Sequence, residues 1–337
     1  MSDRNEQYKK TAIVGFDGAV DTRVRVRKNT EEKDGYFTRL SDFGRCLAAH
    51  QGKNCSFELE RISEHFGGNA PLIANALNAM GTETICIGTM GEERLHPAFQ
   101  RSGCRKISYG DPASTLALEF EDGKTFLEEN PDIPDAWKKI RARLGCETEE
   151  SVSELFQKAD LLALVNWSEL PYAGKLWKEL YSDCFSEVGP DLSKYVFFDL
   201  CDISRRSAAE CMEVLSLIAA YSKKRRTVLG LNRNEAEVLG DILQIGTETE
   251  KISRYLQKMY GIAEILVHTR TINTLTTDNR ISLSQKICTV EKPAVLTGAG
   301  DHFSAAYCQA LLLSLDAAER LAFATRYAEN YVRTGKI

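Results

Sequence analysis

The chain has no Cys-x-x-Cys pair, no apolar run close to the roughly 18 residues that span a bilayer, and no excess of basic residues. Each absence excludes a class. Its ten cysteines stand apart, and Cys86, Cys288 and Cys308 lie in apolar runs. This reads as buried, reduced thiols in a cytoplasmic protein, not as a zinc site or a disulfide framework. The opening MSDRNEQYKK is polar and lacks the apolar centre of a signal peptide. With no apolar span, no membrane association is expected. Net charge is −5 with both signs interspersed, so no basic stripe marks a nucleic-acid partner. No G-x-G-x-x-G follows the first apolar run, which removes the dinucleotide-binding dehydrogenases. There is no internal repeat or low-complexity linker, so residues 1–337 are read as a single catalytic domain.

What is present alternates. Short apolar runs are predicted as strands at 11–16, 84–88, 161–165, 195–200, 227–231 and 264–268. Helical patterns are predicted at 70–80, 151–159, 173–185, 204–221, 234–240, 248–260, 302–315 and 317–334. Strands that are apolar throughout are covered on both faces, so the fold class is α/β with a mostly parallel sheet between helical layers. Ligands of such sheets gather at the carboxyl ends of the strands. Two stretches break the rhythm, from about 21–64 and from 107–128, the second hairpin-like with an Asp122-Gly123 turn. Both are assigned to a small β-lid, the alternative being irregular surface loops.

The segment from Leu296 to Ala306 reads LTGAGDHFSAA. Small residues at Gly298, Ala299 and Gly300 lead into an apolar helix, and free N–H groups at a helix start attract anions. A carboxylate at Asp301 cannot stabilise phosphate, so its natural use there is to take a proton from an attacking hydroxyl. The alternative is a plain helix cap. Asn166, in the NWSE run that ends an apolar strand, is a candidate for lining a substrate site.

The Gly298–Asp301 segment resembles the second signature of the ribokinase / phosphofructokinase-B (PfkB) carbohydrate kinase family, and other pieces match in the same order. The resemblance implies a ribokinase-like three-layer sandwich with a β-lid and a carbohydrate kinase that uses ATP and Mg²⁺. It implies an anion hole at Gly298, Ala299 and Gly300 and a catalytic base at Asp301, with Thr297 beside the nucleotide. GFDGAVD at 15–21 offers Asp21, then Asp17, as the substrate-binding carboxylate. FGGNAPLIANAL at 66–77 resembles the first signature, giving Gly67, Gly68 and Asn69 as substrate contacts; Leu72 stands where many relatives carry an asparagine. Asn232 and Glu235 match the N-x-x-E element that organises magnesium and phosphate, Glu235 acting on Mg²⁺ through water. Taken alone, that pattern is also a common helix start. Thr269 and Arg270 fall near the nucleotide, although the glycines usual there are missing. Val295 and Leu296 replace the usual Asp-Thr, and their side chains cannot ligate a cation. The expected reaction is phosphorylation of a hydroxyl on a sugar or sugar-like small molecule. A nucleoside or vitamin-precursor kinase, or a ligand-binding protein that kept the fold, are the alternatives. The resemblance also implies a homodimer through the lid, whose exposed sheet has reason to seek cover.

Overall fold

The computed structural model describes residues 9–28, 35–279, 281–288, 290–291, 293–295 and 297–336; Leu296 lies outside them. β1 (Thr11–Gly15) opens a large sheet, and β2 (Ala19–Val26), α1 (Leu40–Ala49) and β3 (Leu59–Gly67) leave it for a small one. α2 (Asn69–Ala79) returns the chain to β4 (Glu83–Thr89) and β5 (Arg105–Gly110) of the large sheet. β6 (Ala113–Phe120) and β7 (Gly123–Glu129) complete the small sheet. α3 (Ala136–Glu147) and α4 (Val152–Lys158) lead to β8 (Leu161–Leu164), α5 (Ala173–Cys184) to β9 (Tyr195–Asp199), and α6 (Ala208–Ser222) to β10 (Arg226–Asn232). α7 (Arg233–Ile242) and α8 (Thr249–Tyr260) precede β11 (Glu264–His268). The chain ends with β12 (Ile272–Thr277), β13 (Ser282–Lys286), α9 (Ala299–Leu312) and α10 (Ala317–Thr334).

The large sheet runs β13-β12-β11-β10-β9-β8-β1-β4-β5 and is parallel from β11 to β5. Successive side chains of its strands go to opposite layers. Phe198 packs with Leu162 and Ile265 against α3 to α8, whereas Phe197 packs with Ala163 and Leu266 against α2, α9 and α10. Burying each such side chain stabilises the fold by about 1.5–3 kcal/mol. This is the α/β fold with helices on both faces that the alternation predicts, and the three-layer ribokinase-like architecture that the resemblance implies.

The small sheet runs β3-β2-β6-β7, with β2 and β6 parallel and the other pairs antiparallel. Two details correct the sequence reading. Ile107 and Tyr109 belong to β5 of the large sheet because both side chains are buried in its core, so the hairpin starts only at Ala113. The 21–64 stretch also contains a helix, α1, whose Phe43 packs edge-on against Phe37 and Phe57 and stacks on Phe120. Among the described residues no helix is long and apolar enough to cross a membrane.

Candidate active site

In sequence order the chain goes from β1 outward to β4 and β5, then back to β8 on the other side of β1. That reversal opens a crevice at the carboxyl ends of β1 and β8. Asp17 lies there, 2% exposed. Its carboxylate accepts hydrogen bonds from the backbone N–H of Asn69 (2.7 Å) and Ala70 (2.8 Å), and from Nδ2 of Asn166 (2.8 Å) across the crevice. The first two are free donors at the start of α2, where negative charge is favoured. Burial nevertheless pushes the Asp17 carboxyl up to about 6.

The paired glycines make this packing possible. Gly68 has φ +89°, and a Cβ there would stand 2.7 Å from Asp17 Oδ2. A Cβ on Gly67 would stand 2.5 Å from Asp21 Oδ2. Asp21 sits on β2 between His65 and Thr115, whose hydroxyl bonds its carboxylate; burial raises its pKa. The Asn69 side chain is half-buried. Asn75 turns away, its Oδ1 accepting from the Gly103 N–H (3.3 Å), and Leu72 packs under Gly298.

The second half of the site is the start of α9. Gly298, at φ +83°, is the helix cap, so Asp301 lies inside the first turn and is not itself the cap. The turn is clamped from behind. Tyr331 Oη donates to the Thr297 carbonyl (3.2 Å), and His302 Nδ1 lies 2.7 Å from the Gly298 carbonyl with its ring stacked 3.5 Å from Tyr331. His302 is buried, with its pKa lowered by that burial, and serves as a clamp and not as an acid. Sequence reading had no access to Tyr331, because its partner is 34 residues away.

Acidic groups converge on this turn. Burial, then the charges of Asp199 and Asp17, hold Asp301 well above the ordinary carboxyl range. Asp199, at the end of β9, is pushed up to about 6 by burial and partly relieved by the Cys201 N–H (3.0 Å). Asn232 and Glu235 form a reciprocal capping box on α7, with the Asn232 N–H donating to Glu235 Oε2 (2.8 Å) and the Glu235 N–H to Asn232 Oδ1 (2.9 Å). The helix-start alternative for this motif is therefore real, but it is incomplete. Capping glutamates Glu154 and Glu210 have lowered pKa values, whereas burial and then Asp199 push Glu235 up to about 8. Among the described residues no three acidic, histidine or cysteine side chains meet closely enough to hold a metal ion directly.

Beyond α9 opens a cleft of about 1010 Å³. Its walls include Ala299, Gly300, His268, Asn232 and Arg270. A Cβ on Gly300 would touch His268 Cε1 at 3.4 Å, so glycine keeps this approach open. Thr269 also lines the cleft, but its hydroxyl is committed to the turn before β12: it donates to the Ile272 carbonyl (2.7 Å) and accepts from the Ile272 N–H (2.9 Å). Thr297 contributes its carbonyl to the clamped turn and is not a wall of the cleft. Cys288, expected to be buried, is exposed on that wall, whereas Cys86 and Cys308 are buried.

A three-layer α/β fold with a second, smaller sheet, and a glycine turn that places an aspartate between a crevice and a cleft, is the arrangement that the resemblance to ribokinase-type carbohydrate kinases implies. Comparison with known proteins narrows this. Residues 5–337 match the model of the prokaryotic ketohexokinase family, and the chain belongs to that family. It is 25% identical over 340 residues to a ketohexokinase of Haloferax volcanii, covering 96% of this chain and 87% of that protein. Its fold superposes on an Arabidopsis thaliana ribokinase complexed with ribose and ATP (TM-score 0.63, 17% identity, 97% of this chain and 94% of the other). A similar match is the adenosine kinase of Sinorhizobium meliloti (TM-score 0.65, 15% identity, 98% and 94%).

Proposed function

We propose that the chain transfers the terminal phosphoryl group of ATP to a hydroxyl of a ketohexose. The observation that carries this reading is the position of Asp301, in the same helical turn as the free N–H groups of Ala299 and Gly300, with the cleft on one side and Asp17 on the other. The acceptor hydroxyl is a poor nucleophile and loses its proton as the new P–O bond forms. Asp301 takes that proton while the N–H groups of the Gly298–Gly300 turn hold the phosphoryl oxygens. Burial disfavours the ionised form of Asp301, and a cation entering with the donor phosphates would favour it.

On the acceptor side, Asp17 has three donors on its two oxygens and little capacity left, so it orders Asn69 and Asn166. Among the described residues Thr115 is the side-chain donor to Asp21, which keeps lone pairs for sugar hydroxyls. On the donor side, the cleft volume suits a nucleotide, and Arg270 and Asn232 flank its phosphate end. The residues fit a hydrated magnesium ion: Asp199 and Glu235 are carboxyls short of positive charge, yet too few converge for direct ligation, so contact runs through water. When bound, magnesium neutralises charge on the phosphates. All ten cysteines are free thiols, which supports a reducing, cytoplasmic setting.

The test is ADP release with MgATP and a panel of ketohexoses, aldoses, sugar acids and nucleosides. Turnover is expected on a ketohexose. Turnover confined to nucleosides, or ligand-induced stabilisation without any turnover, would refute the reading.

A further inference from the structure

The loop between β8 and α5 carries Asn166, and nothing in its own sequence explains how it is held. Asn166 has φ +58°, a left-handed conformation that asparagine tolerates better than most residues. The carbonyl groups of Trp167, Ser168 and Leu170 converge on one guanidinium. Arg206 donates from Nε to the Ser168 carbonyl (3.0 Å), and from Nη2 to the Trp167 (3.1 Å) and Leu170 (2.6 Å) carbonyls. Nη1 donates to Glu210 Oε1 (2.9 Å), and the group stands 5.0 Å over the Trp167 ring. Glu210 is itself fixed by the Ser207 capping box of α6. The fork of Arg206 thus ties one face of the loop to the start of a helix, an arrangement that only a planar, multiply donating cation provides. Its side chain is 13% exposed, so these bonds face little competition from water.

The opposite face of the loop presents atoms with nothing to bind. Asn166 Oδ1 and Ser168 Oγ are buried and have no hydrogen-bond partner among the described residues, although the two residues are only 5% and 6% exposed. Buried polar atoms without partners are rare, because the lost hydration is not replaced. Asn166 Nδ2 is already on Asp17, which fixes the amide with Oδ1 free as an acceptor. Two orphaned oxygens, two residues apart on the loop whose Asn166 bonds Asp17, match the hydroxyls of a polyol.

We infer that Ser168 and Asn166 bind acceptor hydroxyls, and that Arg206 is the positioning residue that holds their loop in register with Asp17. This rests on the sugar-kinase reading above. The experiment measures KM for sugar and for ATP separately, with kcat and Tm, in wild type, Arg206→Lys and Ser168→Ala. Lysine keeps the charge and most of the stem but cannot form the fork. Arg206→Lys is expected to lower kcat/KM for the sugar by about 10- to 100-fold, the scale of a misplaced binding group. Ser168→Ala, which leaves every backbone bond of the loop in place, is expected to raise the sugar KM by roughly 3- to 10-fold, the loss of one hydrogen bond. In both, the ATP KM stays near wild type, which a general loss of structure would not produce. If Arg206→Lys is recovered unfolded, Ser168→Ala decides alone. Unchanged sugar KM in folded variants, or equal rises for sugar and ATP, overturns the inference while active wild type keeps the kinase reading intact. A wild type that phosphorylates no sugar sinks the kinase reading first.

Discussion

Asp301, the proposed base, sits where burial disfavours its charged form. Its carboxyl group has lost its water, and its nearest charged neighbours, Asp199 and Asp17, carry the same sign. Asp301→Asn keeps size and removes the charge. It is expected to cut turnover by about 10²–10⁴-fold with nucleotide KM little altered. The same change is expected to raise Tm at pH 8 by about 2 °C or more, because folding then no longer buries a carboxyl that ionises readily in the unfolded chain. Steady-state assays and a thermal melt check both, and near-wild-type turnover would move the base elsewhere. The Gly298–Asp301 turn was legible in sequence because its parts are contiguous: small residues, a helix start and an acid in four positions. Asp17 was legible only as the second choice to Asp21. Its weight comes from bonds to Asn69, Ala70 and Asn166, residues 52 to 149 positions away. The same holds for Tyr331 and Arg206, whose partners arrive by folding and leave no local trace.

Helices and strands were readable where burial imposes a pattern. The six apolar strands and eight helical stretches are present because both faces of the large sheet are covered. β12 and β13 escaped notice: INTLTT and SLSQK are polar, antiparallel strands at one end of the sheet, β13 forming its edge, with no continuous apolar run. α3 was hidden for a related reason, since only Ala136, Trp137, Ile140 and Leu144 of its twelve residues are buried. At α7 the capping box and the acidic cluster make competing claims on one side chain. Glu235→Gln preserves a side-chain acceptor for the Asn232 N–H and removes the titratable charge. It is expected to raise the magnesium concentration for half-maximal rate several-fold while α7 stays folded. An unchanged magnesium titration with full activity would reduce the element to its cap.

The whole molecule gathers acids that resist ionisation. Asp17 and Asp199 move from 3.8 to about 6, and Glu235 from 4.5 to about 8. A carboxyl whose pKa is raised by folding holds its proton more tightly in the folded state. Between about pH 4 and pH 8 these groups therefore hold more protons in the folded chain than in the unfolded one, and their contribution to stability falls as pH rises, opposed below about pH 6.5 by His268, which burial lowers to about 4. Tm of the ligand-free protein is expected to decline from pH 5 to pH 8; a flat or rising profile would contradict the burial of these groups. The small sheet makes a second demand on the molecule. Its outer strands expose Leu59, Ile62, Phe126 and Leu127, at 46%, 40%, 54% and 55%. Pairing of two such sheets would cover them. Light scattering is expected to give a dimer of the 37.7 kDa chain, and Ile62→Glu with Leu127→Glu to give monomers. A wild-type monomer at working concentration would end that proposal.

The order of strands in the large sheet divides the polypeptide in a way that bears on how it can be varied. The residues proposed to meet the sugar, from Asp17 to Ser168, are in place before the chain reaches its midpoint, and every wall of the cleft comes from Asn232 onward. On the proposed assignment, a substitution at a sugar contact falls in the first half of the chain and one at a wall of the cleft in the second, so the two can be varied separately. The seam from Gly298 to Asp301 stands between them.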